Sequence, residues 1–514
     1  MTKITELGDV SDTTPKPVQT NAVKPSGSGC LRSPLGTRRR RQFWGCVALW
    51  LLSVFLIFPN LGSPRAIVFD ETYFIPTTQK YLNGVFFLEP HPPLAKLLIT
   101  AGQLAWDPEI RPSEFITVEK IDRDWSPDWD ITGYRFAPAI FGTLIAPLTF
   151  LILSIVLESL VLAFLFSVPV VFDNALIVQS RAALIDSFLL VFALASILVF
   201  AYLSRRVDWR WRPLILHSLL WGVLAGCAAS VKLTGLAVLA LLGLYGLKLL
   251  WARQIKRGLV VGTFFSIAFL ITYLGLWVIH FSVVTHIIGS QDYGISEQHK
   301  QILNGEVTVD PVTRLVVQMK DAVDYQRRYE AGVPKLDLTK PDEIGSPWYW
   351  WMVGGRAIDY RWETPDGKAH GYVYLLGNPM TWLVSLLGVI LGTALILIDL
   401  LFAVLGSGQR QWLYSLVALY WGYMIPIMFI ERVMYLYHYL LPMIIGVMLF
   451  ALVFVFARRI SWNAKRVSLT VIVILVIVAF WAYKPFTYNE LLTSAQFQQL
   501  NIWAGWGLQC VGCQ

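Results

Sequence analysis

Charge is scarce in this chain. Only 15% of its 514 residues are Asp, Glu, Lys or Arg, while 56% are hydrophobic, and a soluble domain ordinarily carries about 25% charge. That excludes an ordinary soluble protein and leaves a membrane protein. Cysteine is also sparse. Cys30, Cys46, Cys227, Cys510 and Cys513 are too few and too scattered for a disulfide scaffold. Only Cys510 and Cys513 lie close together, in a C-x-x-C that suits a local disulfide if the tail faces an oxidising compartment. A redox or metal role there lacks a second pair of ligands. The net charge of +8 would suit nucleic acid or anionic lipid. The basic residues flank hydrophobic spans, however, which favours membrane topology over nucleic-acid binding.

What is present is a series of long apolar runs. Residues 1 to about 37 are rich in Thr, Pro, Ser and Gly without apolar periodicity and read as a disordered tail, with the basic stretch Arg38 to Arg41 completing a cytoplasmic segment 1–42. The run from Phe43 to about Leu61 is either a signal peptide or a first transmembrane helix, and a long preceding tail without a clear cleavage site favours a retained helix. Further runs fall at about 135–178, 183–203, 214–250, 258–281, 379–405, 412–430, 435–456 and 467–484. The first of these would be roughly 65 Å long as one helix, against a hydrocarbon core of about 30 Å. It must double back, near Glu158, and 214–250 must do so near Lys232 and Gly235. The fold expected is all-α and polytopic, with about eleven spans.

Walking the basic residues through this pattern sets its sidedness. Arg38 to Arg41, Arg205, Arg206, Arg210 and Arg212, then Arg253, Lys256 and Arg257, then Arg410, and finally Arg458, Arg459, Lys465 and Arg466 share one side. The N-terminus is expected inside and the C-terminus outside, with helices 1 to 7 in 43–281, helices 8 to 11 in 379–485 and an outer tail 486–514. Two large segments, 63–133 and 282–378, are left outside. The first is acidic, from Asp70, Glu71 and Glu89 through Asp107, Glu109, Glu114, Glu119, Asp122, Asp124, Asp128 and Asp130.

Asp70-Glu71 opens that segment at the membrane surface, where a lipid headgroup is presented. Spacing alone leaves it either a solvated charge pair or a reactive one, and neighbouring acids point in different directions, so one of them addresses a given atom. His91-Pro92-Pro93 precedes apolar residues at helical spacing with Lys96 off the face, which predicts an interfacial amphipathic helix. His91 itself is open between a capping residue and a ligand contact. Arg135, Arg181, Lys232 and Arg432 each fall at an expected outer end of a helix, either poised over phosphate headgroups or snorkelling. Trp348, Tyr349, Trp350 and Trp351 form either a stacking wall or an interfacial belt. The seven histidines show no ligand-spaced cluster and no cofactor is assigned; a divalent cation bridging Asp70 or Glu71 to phosphate is compatible with these residues.

The order of these motifs resembles the protein O-mannosyltransferase family. It runs from Asp70-Glu71 and His91-Pro92-Pro93-Leu94-x-Lys96 through Gly133-Tyr134-Arg135-Phe136 and Ser180-Arg181-x-x-Leu184-Ile185-Asp186-Ser187. It continues through Ser230-Val231-Lys232-Leu233-Thr234-Gly235, Pro347-Trp348-Tyr349-Trp350 and Leu376-Gly377-Asn378-Pro379 to Arg432-Val433-x-Tyr435-Leu436-Tyr437-His438-Tyr439. The resemblance spans about residues 43–485. It implies a GT-C glycosyltransferase fold and inverting transfer of mannose from a polyprenyl-phosphate carrier to Ser or Thr hydroxyls of proteins at the outer face. Asp70 would be the general base and Glu71 its assistant. Arg135, Arg181, Lys232 and Arg432, with His91 and His438, would hold the donor phosphate or substrate, and Trp348 and Trp350 would stack on sugar or acceptor. The family's eukaryotic members carry a β-trefoil MIR domain in the later outer loop, and 282–378 is too short for one, so a bacterial-type enzyme of the plasma membrane is implied. Two rivals stay open: a lipid-linked transferase modifying a glycolipid, and a secondary transporter with ionisable groups near the midplane.

Overall fold

The long apolar runs double back where their polar residues fall. In a computed structural model that describes residues 35–109, 111–122, 129–340, 343–365, 367–457 and 459–513, α4 (Thr132–Val156) ends just before Glu158, which takes a left-handed φ of 55°. α5 (Leu160–Val171) then starts from a Ser159 cap and is followed by α6 (Asn174–Arg181), bent from it by 62°. The expected tail over residues 1–34, Asp124 and Asp128 of the acidic segment, and Arg458 lie outside the described residues. The chain divides into two units, Met1–Arg40 and Arg41–Gln514, and the site lies wholly in the second.

Preceding these elements are α1 (Leu35–Ile57), α2 (Glu71–Leu82) and α3 (Leu94–Trp106). Because α1 begins at Leu35, Arg38 to Arg41 belong to its first turns and not to a tail. After α6 come α7 (Asp186–Leu203) and α8 (Trp211–Val231). The predicted break at Lys232 is a 3-10 turn, Leu233–Val238, leading into α9 (Leu239–Trp251) and α10 (Ile255–Val283). The segment 282–378 folds as α11 (Glu297–Leu303), α12 (Pro311–Gly332), α13 (Trp348–Trp351) and the strands β1 (Ile358–Glu363) and β2 (His370–Leu375). Then follow α14 (Pro379–Phe402), α15 (Ser407–Met428), α16 (Leu440–Phe456), α17 (Trp462–Tyr488), β3 (Leu491–Leu492) and α18 (Ser494–Leu500).

Among the described residues, nine helices are long and apolar enough to cross a membrane, and the bent pair α5/α6 brings the number to as many as ten. The remaining expected span, 412–430, corresponds to α15, whose first turns carry Gln409, Arg410 and Gln411 and which is more polar than the others. α7 and α16 form the centre, with 78% and 72% of their apolar stretches buried in protein, against 17% for α10. Between lipid-solvated helices, packing supplies the association energy, so small residues sit where backbones meet. A methyl group on Gly388 of α14 would lie 2.0 Å from the Gly446 carbonyl of α16, and one on Gly446 would lie 2.1 Å from Ser385 Oγ. The small sheet was not expected: β1 pairs antiparallel with β2, and β2 with β3. β2 is buried along its whole length. The C-terminal residues pack on it, Val511 N donating to Tyr372 Oη (3.1 Å), with Cys510 and Cys513 joined as a disulfide.

Candidate active site

Asp70 is the N-cap of α2, and the residue before it is held in an unusual conformation. Phe69 has φ 42°, a region that costs a non-glycine residue energy unless its surroundings hold it there. They do. Its ring stacks on Tyr360 of β1 (4.4 Å, 3°) and meets Tyr435 and Tyr437 edge-on, while its N–H donates to the Tyr360 carbonyl. Tyr360 is fixed in turn by donating to Gln179 Oε1 (2.5 Å). The turn aims Asp70 into an open-mouthed cavity lined by residues from α2, the loop before α3, the Lys232 turn, α12 and the 432–438 stretch. Burial pushes the Asp70 carboxyl up to about 7; Lys232 opposes that rise and Asp186 adds to it.

Glu71 points the other way. It is fully buried, and Arg135 grips both oxygens, Nε on Oε1 (2.7 Å) and a terminal nitrogen on Oε2 (2.8 Å). The backbone N–H groups of Val68 (2.9 Å) and Ala183 (2.8 Å) complete its shell. The other Arg135 donors go to the carbonyls of Leu61, Pro64 and Ala66, which uses all five N–H groups of a guanidinium. The structure therefore places Arg135 in a lock that holds the α1–α2 connection, with no donor left for a phosphate, and Glu71 with no oxygen left for a metal. Arg181 also turns inward, giving three hydrogen bonds to the carbonyls of Ile57 (2.6 Å), Pro59 (2.7 Å) and Asn60 (2.9 Å) at and just beyond the C-terminal end of α1. These carbonyls lack helical partners, and a guanidinium suits them.

The other expected cations line the cavity. Lys232 sits 3.3 Å from Asp186 Oδ1 and over the face of Tyr437 (4.6 Å), and Gln179 holds the second Asp186 oxygen (2.6 Å). Arg432 is paired with Glu330 of α12 (2.6 Å). His91 and His438 line the same space. Burial, then the nearby charges of Lys232, Lys96 and Arg432, drive the His91 imidazole well below its usual range, so it lines the cavity as a neutral ring. His438 uses Nδ1 on the Tyr435 carbonyl (3.0 Å) and stacks between Tyr437 (4.5 Å) and Trp351 (5.9 Å).

Two further expectations change here. Lys96 is not off the face in water: it is 1% exposed, paired with Glu89 (2.8 Å) and donating to the His91 carbonyl (2.5 Å), so it pins the loop that presents His91. Trp348 and Trp350 do not line the cavity. Trp350 packs against Trp503 (5.9 Å), and it is the fully buried Trp351, donating to Ser346 Oγ (2.8 Å), that backs His438. The aromatic wall consists instead of Tyr73, Tyr293, Tyr325, Tyr329, Tyr435 and Tyr437. Of these, Tyr73 lies in the stretch Val68-Phe69-Asp70-Glu71-Thr72-Tyr73 and Tyr435 and Tyr437 in the Arg432 motif, and sequence reasoning gave none of the three a role of its own. Asp186 was likewise quoted in a motif but given no role. Among the described residues, no three His, Cys, Asp or Glu side chains gather as a metal site.

Comparison with known proteins bears on what such a cavity does. The family profile described as dolichyl-phosphate-mannose-protein mannosyltransferase matches residues 47–287, and that of the C-terminal four-transmembrane region of protein-O-mannosyltransferase matches 333–506. Protein O-mannosyltransferase 1 of Drosophila pseudoobscura pseudoobscura is 33% identical over 281 residues, half of this chain and 29% of that protein. Dolichyl-phosphate-mannose–protein mannosyltransferase 2 of Candida albicans is 32% identical over 218 residues, 39% of this chain and 26% of that one. The matches thus take in under a third of those relatives' length. A chain of the S. cerevisiae protein O-mannosyltransferase Pmt1-Pmt2 complex, bound to the sugar donor, has the same fold (TM-score 0.78, 15% identity, 91% of this chain and 92% of that one).

Proposed function

As a member of the dolichyl-phosphate-mannose-protein mannosyltransferase family, this chain is one for which we propose protein O-mannosylation: transfer of mannose from a polyprenyl-phosphate carrier to Ser or Thr hydroxyls. One observation carries the reading. A carboxyl poised near neutrality, Asp70, shares a single cavity with Lys232, Arg432 and the two imidazoles His91 and His438.

Transfer to an alcohol needs a base for the hydroxyl proton and cations for the departing phosphate, and a carboxyl near ambient pH suits the first task. In this reading the acceptor oxygen attacks the anomeric carbon as Asp70 takes its proton. The bond from that carbon to the phosphate oxygen breaks, and the polyprenyl phosphate leaves with its added charge against Lys232 and Arg432. A single displacement inverts the anomeric centre and needs no carboxylate nucleophile. His91 and His438 hydrogen-bond the sugar phosphate, and Glu71 with Arg135 acts only by holding the turn that presents Asp70. We further place the cavity on the outer face of a plasma membrane of bacterial type, with the N-terminus inside. The enrichment of basic residues at the opposite helix ends and the short 282–378 segment support that placement.

The test uses the full chain in proteoliposomes with radiolabelled polyprenyl-phosphate mannose and a Ser/Thr-rich peptide. Label is expected in the peptide, lost on β-elimination. Label confined to lipid would overturn the reading in favour of glycolipid modification.

A further inference from the structure

The stretch between the two family matches, residues 288–332, belongs to neither, yet it supplies Tyr293, Tyr325, Tyr329 and Glu330 to the cavity wall. It is fixed there at both ends. At the start, Asp321 of α12 takes hydrogen bonds from the Ser296 hydroxyl (2.8 Å) and from His299 Nδ1 (2.9 Å). At the finish, Val433 N donates to the Pro334 carbonyl (2.9 Å) and Leu336 N to the Glu431 carbonyl (3.3 Å), flanked by the Lys335–Glu431 and Arg432–Glu330 ion pairs. Helix α12 is thus a wall built onto the Arg432 loop.

The cavity is not uniform in charge. Lys232 and Arg432 provide the cations for a phosphate. Glu89 and Glu119 also line the cavity, beside Lys80, and Glu89 is paired with Lys96 (2.8 Å), so this side carries both signs. Near Glu89, which accepts from Thr77 (2.5 Å), Lys80 donates to the Tyr293 hydroxyl (2.8 Å), and the Tyr293 ring meets Tyr325 edge-on (5.8 Å). Tyr325 and Tyr329 are four residues apart and share one face of α12. Tyr329 lines the same cavity as Tyr73, Asp70 and Arg432. Tyr73 and Tyr329 line the cavity, yet they stay 38% and 42% exposed. Lys120 stands over the Tyr73 ring (5.2 Å), and exposed aromatic surface at a polar mouth, as at Tyr329, stacks on amide planes and apolar side chains.

We propose that Tyr73 and Tyr329 flank the acceptor groove: an extended Ser/Thr peptide lies between them with its hydroxyl over Asp70, and the 288–332 segment selects which peptides this chain accepts. This rests on the reading of the cavity as a mannosyltransferase site. With the donor phosphate at Lys232 and Arg432, the aromatic side, where charges of both signs offset one another, is the surface left for a neutral peptide.

The experiment measures transfer by full-length protein in proteoliposomes, varying donor and acceptor separately, for wild type, Tyr329→Ala and Tyr329→Phe. Tyr329→Ala is expected to raise the acceptor KM roughly tenfold, the scale of one lost stacking contact, while donor KM stays within about twofold. Tyr329→Phe keeps the ring and is expected to lie nearer wild type than Tyr329→Ala. An unchanged acceptor KM, or donor and acceptor KM rising together, would overturn the proposal and leave Tyr329 an interfacial anchor. Failure of the wild type itself to label peptide would instead overturn the mannosyltransferase reading, and this inference with it.

Discussion

Asp70 and Glu71 are adjacent, yet one faces a cavity and the other the protein interior. Asp70 is the cap of α2 and Glu71 its first residue, and successive helical residues diverge by about 100°. The two therefore predict different failures. Asp70→Asn is expected to abolish transfer while the protein still binds polyprenyl phosphate. The sign for pH follows from the raised carboxyl, about 7: the base form exists above that value, so kcat/KM should fall tenfold per unit as pH drops below about 7. The same rise means that the folded state prefers the proton, so stability is lost as pH rises through 7. Asp70→Asn should then melt no lower than wild type at pH 8, and a flat pH profile for wild type would remove Asp70 as base. Glu71→Gln breaks a buried, bidentate pair and leaves Arg135 charged and under-satisfied, which costs about 3–5 kcal/mol. Its expected signature is a lowered melting temperature and yield, with donor KM per folded molecule near wild type. Asp70 was legible from its motif. The role of Arg135 was not, because sequence places an arginine at a helix end without revealing that Leu61, Pro64 and Ala66 turn their carbonyls toward it.

At the scale of elements, the breaks were legible where a polar or conformationally permissive residue interrupts an apolar run, as at Glu158 and Lys232. The strands were not. β2 is buried throughout, so it lacks the polar alternation that marks a half-exposed strand. The amphipathic reading of α3 gave a helix in the right place but misplaced Lys96, because helical spacing assigns an off-face residue to water and cannot see Glu89 folding back to meet it. Packing between spans depends on residues that carry no motif at all. Gly388 and Gly446 let α14 and α16 touch at the backbone, and α16 leads straight out of the stretch holding Arg432 and His438. Gly446→Leu must push its side chain into the backbone of Ser385, so a loss of about 3 kcal/mol or more is expected, read as a lower melting temperature in detergent. Gly262, with nothing near its Cβ position, is the control: Gly262→Leu on the lipid-facing α10 should change the melt little.

At the scale of the whole molecule, the cavity fixes the crossing pattern. Asp70, Lys232 and Arg432 line one space, so the chain must cross an even number of times between any two of them. From the Lys232 turn, α9 leaves, α10 returns, α14 leaves again, and only a crossing by α15 brings Arg432 back. α15 therefore spans although it is more polar than its neighbours. The helix ends and turns on the far side hold Arg205, Arg206, Arg253, Arg410 and Arg459, an enrichment on which the proposed cytoplasmic placement of that side rests. The C-terminal disulfide packs on β2, which belongs with the cavity-side segment. In sealed right-side-out vesicles, a membrane-impermeant maleimide added after reduction is expected to label Cys510 and Cys513. A cysteine placed by Arg253→Cys should react only once the membrane is opened, and Cys46 and Cys227, within spans, are replaced by Ala to clear the background. Labelling of the Arg253→Cys site and the C-terminal pair from the same face would break the even-crossing pattern, and with it the assignment of α15 as a span. Labelling of the pair from the cytoplasmic face alone would keep that pattern but turn the cavity inward, away from secreted acceptors.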